Sequence, residues 1–475
     1  MRLHELFDGL NQIVEDPEIV SLQLDSRAVT AGTMFCCVPG YERDGHDFAG
    51  DAIESGASAL LTERPLGLGV PEIVVGNVRE AMAPAAARLY GNPTAKLKMV
   101  GITGTNGKTT TAYLTRALLE GGGMRTGLLG SVHEIIGGHA KKSLRTTPEA
   151  VDLQQSFAEM VAAGDVACAM EVSSHAIRLH RVDAIDWNVK VFTNLTHEHL
   201  DFHGDMEDYF DAKASLFRSG GGAAIINVDD PFGRRLAEEL GSATTVGVDS
   251  ADADLRAEVV ATDSRSTLFR VDGVEMRVPL PGPFNLLNAV CAVAAARQLG
   301  VDYEQMEQGL EHAEVAPGRF QPIDCDQEFA VIVDYAHTPD ALDNALRTAR
   351  GLADGRVILV FGAGGDRDAS RRPLMGASAG AGADLVFLTS DNPRSEDPAS
   401  IIEQIGSGFG EGGARMEVVI DRSQAIEEAL REATAGDLVL IAGRGHERWQ
   451  EIAGGEMIPF DDAAVAREAL TRMTS

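Results

Sequence analysis

Gly101-Ile102-Thr103-Gly104-Thr105-Asn106-Gly107-Lys108-Thr109-Thr110 is the stretch on which the reading of the fold turns. A β-branched run precedes it and an apolar stretch of helical period follows it as far as Glu120. A strand, a glycine-rich loop and a helix in that order turn backbone N–H groups, and the positive end of the helix, toward a phosphate. Gly104, Thr105, Asn106 and Gly107 would supply that cradle. Lys108 would neutralise β/γ-phosphate charge and the Thr109 hydroxyl would ligate Mg²⁺, with Thr110 next in the helix. Strict P-loop spacing wants a glycine where the chain has Ile102. The competing reading is a glycine-rich turn with a surface lysine.

Outward from the loop, β-like runs recur at residues 167–172, 189–193 and 224–227, with helical segments between them. That alternation predicts a mostly parallel sheet. Upstream, residues 59–62 and 72–75 read as strands and 79–90 as an Ala-rich helix, closed by the turn Gly91-Asn92-Pro93-Thr94. Downstream, Val315-Ala316-Pro317-Gly318-Arg319 ends the central pattern, and buried strands follow at 330–334, 357–361, 385–389 and 438–442. Each ends in a Gly- or Asp-rich turn, where open α/β sheets bind ligands. The expected class is α/β with three domains, residues 1–95, 96–325 and 326–475.

The chain has 475 residues, and at roughly 150 residues per domain three domains fit. Its 41 Lys+Arg and 72 Asp+Glu leave a net charge of −31. Such a surface repels phosphate backbones and anionic lipid, which argues against nucleic-acid and membrane partners but not against a local basic pocket. Cys36, Cys37, Cys168, Cys291 and Cys325 form no C-x-x-C pair, so neither a disulfide framework nor a Cys-ligated zinc is indicated. Residues 1–8 are too charged for a signal peptide, and the long uncharged run 278–296 is broken by Pro281, Gly282 and Pro283. A cytoplasmic location is expected.

Two more segments carry chemistry. Glu171 ends the strand before Val172-Ser173-Ser174-His175, a position that suits an acidic group serving magnesium in an NTPase. Five of the 12 histidines fall between His175 and His203. The run His197-Glu198-His199-Leu200-Asp201 is no zincin helix, because H-E-x-x-H would need histidine at Asp201. A magnesium or phosphate site using one or two of these histidines is the better reading. Residues 208–217 read as an amphipathic helix; on its own, Lys213 beside the apolar stripe reads as a snorkelling lysine.

These motifs occur in a fixed order with others: Phe284-Asn285-Leu286-Leu287-Asn288-Ala289, Pro317-Gly318-Arg319, Asp334-Tyr335-Ala336-His337, Asp391-Asn392-Pro393-Arg394 and Gly443-Arg444-Gly445-His446-Glu447. Taken together, the chain resembles the Mur ligases of peptidoglycan synthesis over essentially its whole length, and within them the diaminopimelate-adding branch. The resemblance implies an N-terminal domain for a uridine nucleotide substrate, a central P-loop ATPase domain and a C-terminal Rossmann-like domain for the incoming amino acid. It implies Ser26, Thr146, Thr147, Ser173 and Arg181 as contacts of UDP-MurNAc-L-Ala-D-Glu, with Leu179 standing where the family often has a glutamine. It implies Asn288, Arg319, Asp334 and His337 as ATP contacts. Lys213 matches the lysine that the family carbamylates (N6-carboxylysine), so that Thr109, Glu171, His199 and Lys213 would hold magnesium. Arg367, Asp391, Asn392, Pro393, Arg394, Gly443 and Glu447 would bind diaminopimelate.

The implied reaction couples ATP to amide formation through an acyl phosphate, with Lys108, Lys213, Glu171 and His199 as the catalytic set and positioning and charge neutralisation as the main contributions. The role implied is in cell-wall biogenesis, and through it cell shape and division, by a monomer. Arg394 suits bidentate recognition of a distal carboxylate that meso-diaminopimelate has and lysine lacks, and Glu447 suits its ammonium. The alternatives are a lysine-adding or D-Ala-D-Ala-adding relative, a folylpolyglutamate synthase, or a P-loop switch that hydrolyses ATP only to change partners.

Overall fold

The computed structural model describes residues 1–7, 15–40, 43–198, 200–410, 413–452 and 455–474. Contacts divide the chain into two compact units: Met1–Lys108 with Leu119–Thr245 and Cys291–Asp302, and Thr109–Leu118 with Val246–Val290 and Tyr303–Ser475.

In the first unit, four parallel strands, Ser21–Gln23, Thr33–Cys36, Ala57–Thr62 and Glu72–Val74, pair in chain order. Leu22, Met34 and Leu61 pack with Val78, Met82 and Ala86 of the helix Val78–Leu89. Asn77 starts that helix by accepting the N–H groups of Arg79 and Glu80, two of the donors a helix start leaves orphaned.

The same unit orders seven more strands as Ala223–Asn227, Trp187–Phe192, Lys98–Thr103, Ala167–Glu171, Thr126–Leu129, His133–Ile136 and His139–Lys142. The first five are parallel and the last two form an antiparallel hairpin edge. Lys98–Thr103 lies between two parallel neighbours and is buried apart from Lys98, which is why it reads as a continuous apolar run. Ile102, at the position of the missing P-loop glycine, is a fully buried strand residue paired with Glu171. The loop from Gly104 therefore leaves the carboxyl edge of the sheet between the ends of two strands.

In the second unit, Leu255–Thr262, Thr267–Val271 and Val274–Val278 form an antiparallel ribbon. Charged residues alternate along it, so it lacked the apolar runs by which strands were read. Six strands follow, in the order Gln321–Pro322, Ala330–Asp334, Leu438–Ala442, Val357–Phe361, Leu385–Leu388 and Arg415–Val418, all parallel except the first. Helices cover both faces: Leu342, Leu346 and Met375 pack on Ile332 and Leu359, while Ile426, Leu430 and Leu470 pack on Val331 and Val439. Leu438–Ala442, the last of these strands in the chain, sits inside the sheet, which brings the ends at Asp334, Ala442 and Phe361 to one edge.

The five cysteines form no disulfide. Among the described residues no helix is long and apolar enough to cross a membrane.

Candidate active site

The phosphate loop needs its glycines for close approach. Gly104 has φ +150°, and a Cβ there would stand 1.9 Å from Thr193 Oγ1; Gly107 has φ +84°. The segment after Trp187–Phe192 braces the loop. Thr193 Oγ1 donates to Asn106 O at 2.6 Å, Asn194 Oδ1 accepts from Asn106 N at 2.9 Å, and Thr105 N donates to Asn194 O at 2.9 Å. Lys108 Nζ curls back onto the loop, donating to Gly104 O at 3.0 Å and Thr105 O at 2.8 Å.

Lys213 reaches the same loop from the helix Met206–Arg218. It does not snorkel: Nζ is buried, donates to Gly104 O at 2.8 Å and lies 4.7 Å from the Tyr209 ring centroid. Burial, and then the nearby Lys108 charge, push its pKa well below the ordinary lysine value. The neutral amine, the nucleophilic form, is the one this site favours.

Glu171 is buried at the end of its strand, where Oε1 accepts from Ser131 N at 2.7 Å and Oε2 from Ser131 Oγ at 3.1 Å. Thr146, Thr147 and Ser173 gather beside it. Thr146 Oγ1 is 3.1 Å from Ser131 Oγ, Thr147 Oγ1 donates to Glu171 O at 3.0 Å, and Ser173 N donates to Thr147 Oγ1 at 3.1 Å. Arg181 Nη1 donates to Thr147 O at 3.0 Å. Ser26 opens the turn Ser26–Ala28, flanked by an Asp25–Arg27 ion pair at 2.6 Å that lowers the Asp25 pKa to about 2.

His199 lies outside the described residues. Of the other histidines in this stretch, His203 is buried, with Nε2 2.9 Å from Ser174 Oγ, and packs its ring against those of His175, Phe202 and Tyr209. That makes it a core residue.

In the second unit, two loops interlock at the carboxyl edge of the six-stranded sheet. A Cβ on Gly318 (φ +63°) would lie 2.1 Å from the backbone of Gly445 and His446. Next to it, the Arg319 guanidinium stacks 4.7 Å over the Tyr335 ring, which also meets the rings of His337 and His446. Asp334 ends its strand accepting from Phe320 N at 2.6 Å and Ala336 N at 2.9 Å; burial raises its pKa against the pull of Arg319. Asn288 is buried in the helix Pro283–Gln298.

The loop 391–394 is held from both sides. Asn392 Nδ2 donates to Glu447 Oε2 at 2.8 Å, while its Oδ1 accepts from Arg444 Nη1 at 2.8 Å and Glu451 N at 2.9 Å. Arg394, at φ +53°, donates through Nε to Glu451 Oε2 at 3.1 Å and through Nη1 to Gly365 O at 2.6 Å. Asp391 stands against Gly443, where a Cβ would be 2.9 Å from Oδ2. Pro393 O would lie 1.9 Å from a Cβ on Gly365, and Arg367 is exposed beside Gly364.

Family models match most of this chain: the Mur ligase family catalytic domain over residues 18–90, the Mur ligase middle domain over 102–296, and the Mur ligase glutamate ligase domain over 318–445. The chain belongs to the Mur ligase family. Among curated relatives, the UDP-N-acetylmuramoyl-L-alanyl-D-glutamate–2,6-diaminopimelate ligase of Geobacillus kaustophilus is 43% identical over 467 residues, 96% of this chain and 95% of that one. A solved structure of a ligase with the same name superposes with a TM-score of 0.72 at 33% identity, covering 96% of each chain. A MurF ligase from Thermotoga maritima in complex with ADP shares the fold, with a TM-score of 0.62 at 19% identity over 95% of this chain and 96% of that one.

In this Mur ligase the first unit brings Lys213 onto Gly104, and Thr146, Thr147, Ser173 and Arg181 onto the end of the Glu171 strand. The second unit brings Arg319 and His337 together around Tyr335, with Asp334 ending the strand before it, and Asn392 onto Glu447. Ser131, Tyr335, Arg444 and Glu451 went unread in the sequence as site residues. Tyr335 and Arg444 lie inside quoted motifs and were findable; Ser131 and Glu451 reach their partners only across separate elements of the fold.

Proposed function

We propose that this Mur ligase adds meso-diaminopimelate to UDP-N-acetylmuramoyl-L-alanyl-D-glutamate, driven by ATP, in peptidoglycan precursor synthesis. The full-length likeness to ligases named for that reaction supports it. The observation that carries the acceptor is the 391–394 loop, where Asn392 holds the Glu447 carboxylate and Arg394 offers a guanidinium two residues on. A cation and an anion side by side suit the zwitterionic distal end of diaminopimelate, whose carboxylate would compete with Glu451 for Arg394; lysine offers no such carboxylate.

The D-glutamyl carboxylate attacks the γ-phosphorus of ATP and ADP departs; the amino group then attacks the acyl phosphate and inorganic phosphate leaves. Residues Gly104 to Thr110 take the nucleotide phosphates, with Lys108 exchanging its loop carbonyls for phosphate oxygens. Asn288, Arg319, Asp334 and His337 are the proposed nucleotide contacts in the second unit. Ser26, Thr146, Thr147, Ser173 and Arg181 take the UDP-muramoyl dipeptide, and Arg367, Asp391, Asn392, Pro393, Arg394, Gly443 and Glu447 the diaminopimelate.

Among the described residues no three His, Cys, Asp or Glu side chains converge as a ready metal site. The donor chemistry suits magnesium once Lys213 is carbamylated, because the neutral amine adds to CO₂, loses a proton and becomes an anionic oxygen ligand; Glu171, His199 and Thr109 are the other proposed ligands. Bound magnesium would neutralise phosphate charge there. Residues 1–95, 96–325 and 326–475 are the proposed domains for the uridine nucleotide, ATP and amino acid, and the enzyme is proposed as a cytoplasmic monomer. Incubation with all three substrates should yield the UDP-MurNAc tripeptide by mass spectrometry; recovery of the unchanged dipeptide nucleotide would refute the reading.

A further inference from the structure

Arg422 and Asp462 form an ion pair shut off from solvent in the second unit. Arg422 Nε donates to Asp462 Oδ1 at 2.8 Å and Nη2 to Asp462 Oδ2 at 2.7 Å, and both side chains are 0% exposed. Nη2 also donates to Ala442 O at 2.9 Å. The pair therefore joins the first residues of two helices, Arg422–Glu432 and Asp462–Thr474, to the last residue of the strand Leu438–Ala442.

Such a pair is a poor source of stability. The cost of taking both charges out of water offsets most of their attraction, and apolar side chains of like volume commonly do as well. The same two helices already bury Ile426, Ala463 and Ala466 in one core with Ile441. Arg422 also starts its helix, where the dipole disfavours a cation, and its Nη1 is buried with no hydrogen-bond partner among the described residues. What the pair secures is geometry: the two-pronged contact fixes the guanidinium plane, and that plane fixes Ala442 O.

Ala442 is where the strand gives way to the loop 443–447. Gly443 has φ +112° and Gly445 φ +53°, and Glu447 at the far end accepts from Asn392. Two glycines leave the loop little side-chain support of its own, so its height depends on how the strand end is held. Burial pulls the Arg422 pKa down, yet the Asp462, Asp391 and Glu447 carboxylates together carry it above the ordinary arginine value. The buried pair thus lies within electrostatic reach of the residues proposed to meet the amino acid.

We propose that Arg422 and Asp462 are positioning residues for the incoming amino acid, acting through Ala442 to set the Gly443–Glu447 loop and with it the Glu447 carboxylate. Neither touches substrate. The identity of the amino acid rests on the function proposed above; the positioning role does not.

The test is the paired replacement Arg422→Met with Asp462→Leu, beside Arg422→Lys. Either member removed alone strands a buried charge, whereas the double variant removes both and should unfold in urea at a midpoint close to that of wild type. Its KM for diaminopimelate should rise about tenfold, with KM for ATP and for UDP-MurNAc-L-Ala-D-Glu within about twofold of wild type. Arg422→Lys keeps the charge but loses the fork, and its KM for diaminopimelate should fall between the two. A folded double variant with unchanged KM for the amino acid, or with all three KM values raised alike, would overturn the positioning role. If the double variant does not fold, a wild-type KM for the amino acid in Arg422→Lys overturns it equally. Ligation of L-lysine in place of diaminopimelate would overturn the acceptor reading alone, and the same comparison would then be read on the KM for lysine.

Discussion

Lys213 Nζ donates to the carbonyl oxygen of Gly104 at 2.8 Å, so a buried lysine and the phosphate loop share one hydrogen bond. Burial, not the bond, costs the lysine its charge. Buried and near Lys108, the amine is held well below its ordinary pKa, in the form that can add to CO₂.

Lys213→Ala should lower turnover by about a hundredfold or more, the scale of losing one preorganised charge at a reacting centre, with partial rescue by a short carboxylate. Activity should rise with added bicarbonate. The acid limb has a definite sign: as pH falls through the depressed Lys213 pKa the amine protonates, so bicarbonate activation should fade toward low pH. Full activity of Lys213→Ala in bicarbonate-free buffer would contradict the carbamate.

Gly104→Ala places a methyl group where Thr193 Oγ1 stands, 1.9 Å away. The loop must open to admit it. Nucleotide titration should give an affinity at least about tenfold weaker, with the fold retained by circular dichroism. Unchanged affinity would mean that the brace from Thr193 does not set the loop.

Arg394→Ala should raise KM for diaminopimelate about tenfold or more and leave KM for ATP nearly unchanged. Equal loss of both would reduce this arginine to a structural tie between Glu451 and Gly365.

Arg372 forms paired 2.7 Å bonds to Glu396, and those bonds lower the Glu396 pKa from 4.5 to about 2. A depressed carboxylate stabilises the fold above its unfolded pKa and loses that contribution as pH falls toward the folded one. The stability gap between wild type and Arg372→Met should therefore narrow from about pH 5 to about pH 3, as read by urea denaturation. A constant gap would assign the Arg372 effect to packing alone.

The parallel strands were legible because burial on both faces leaves continuous apolar runs such as Val357–Phe361 and Leu438–Ala442. The ribbon Leu255–Thr262 to Val274–Val278 was not, since charged residues alternate along it and one face meets solvent. In the site, the glycine loop and the motif residues were readable as local patterns. Ser131 on Glu171 and Glu451 on Arg394 were not, because each contact joins residues from separate elements. Isolated sequence reasoning put Lys213 on the surface, and no local signal could tell that Tyr209 and Gly104 would enclose it.

The most direct test is amino-acid-dependent phosphate release with ATP and UDP-MurNAc-L-Ala-D-Glu, comparing meso-diaminopimelate, L-lysine and no amino acid. Phosphate release that requires an amino acid and strongly favours meso-diaminopimelate over L-lysine is the expected result. Preference for L-lysine, or release indifferent to any amino acid, would contradict it.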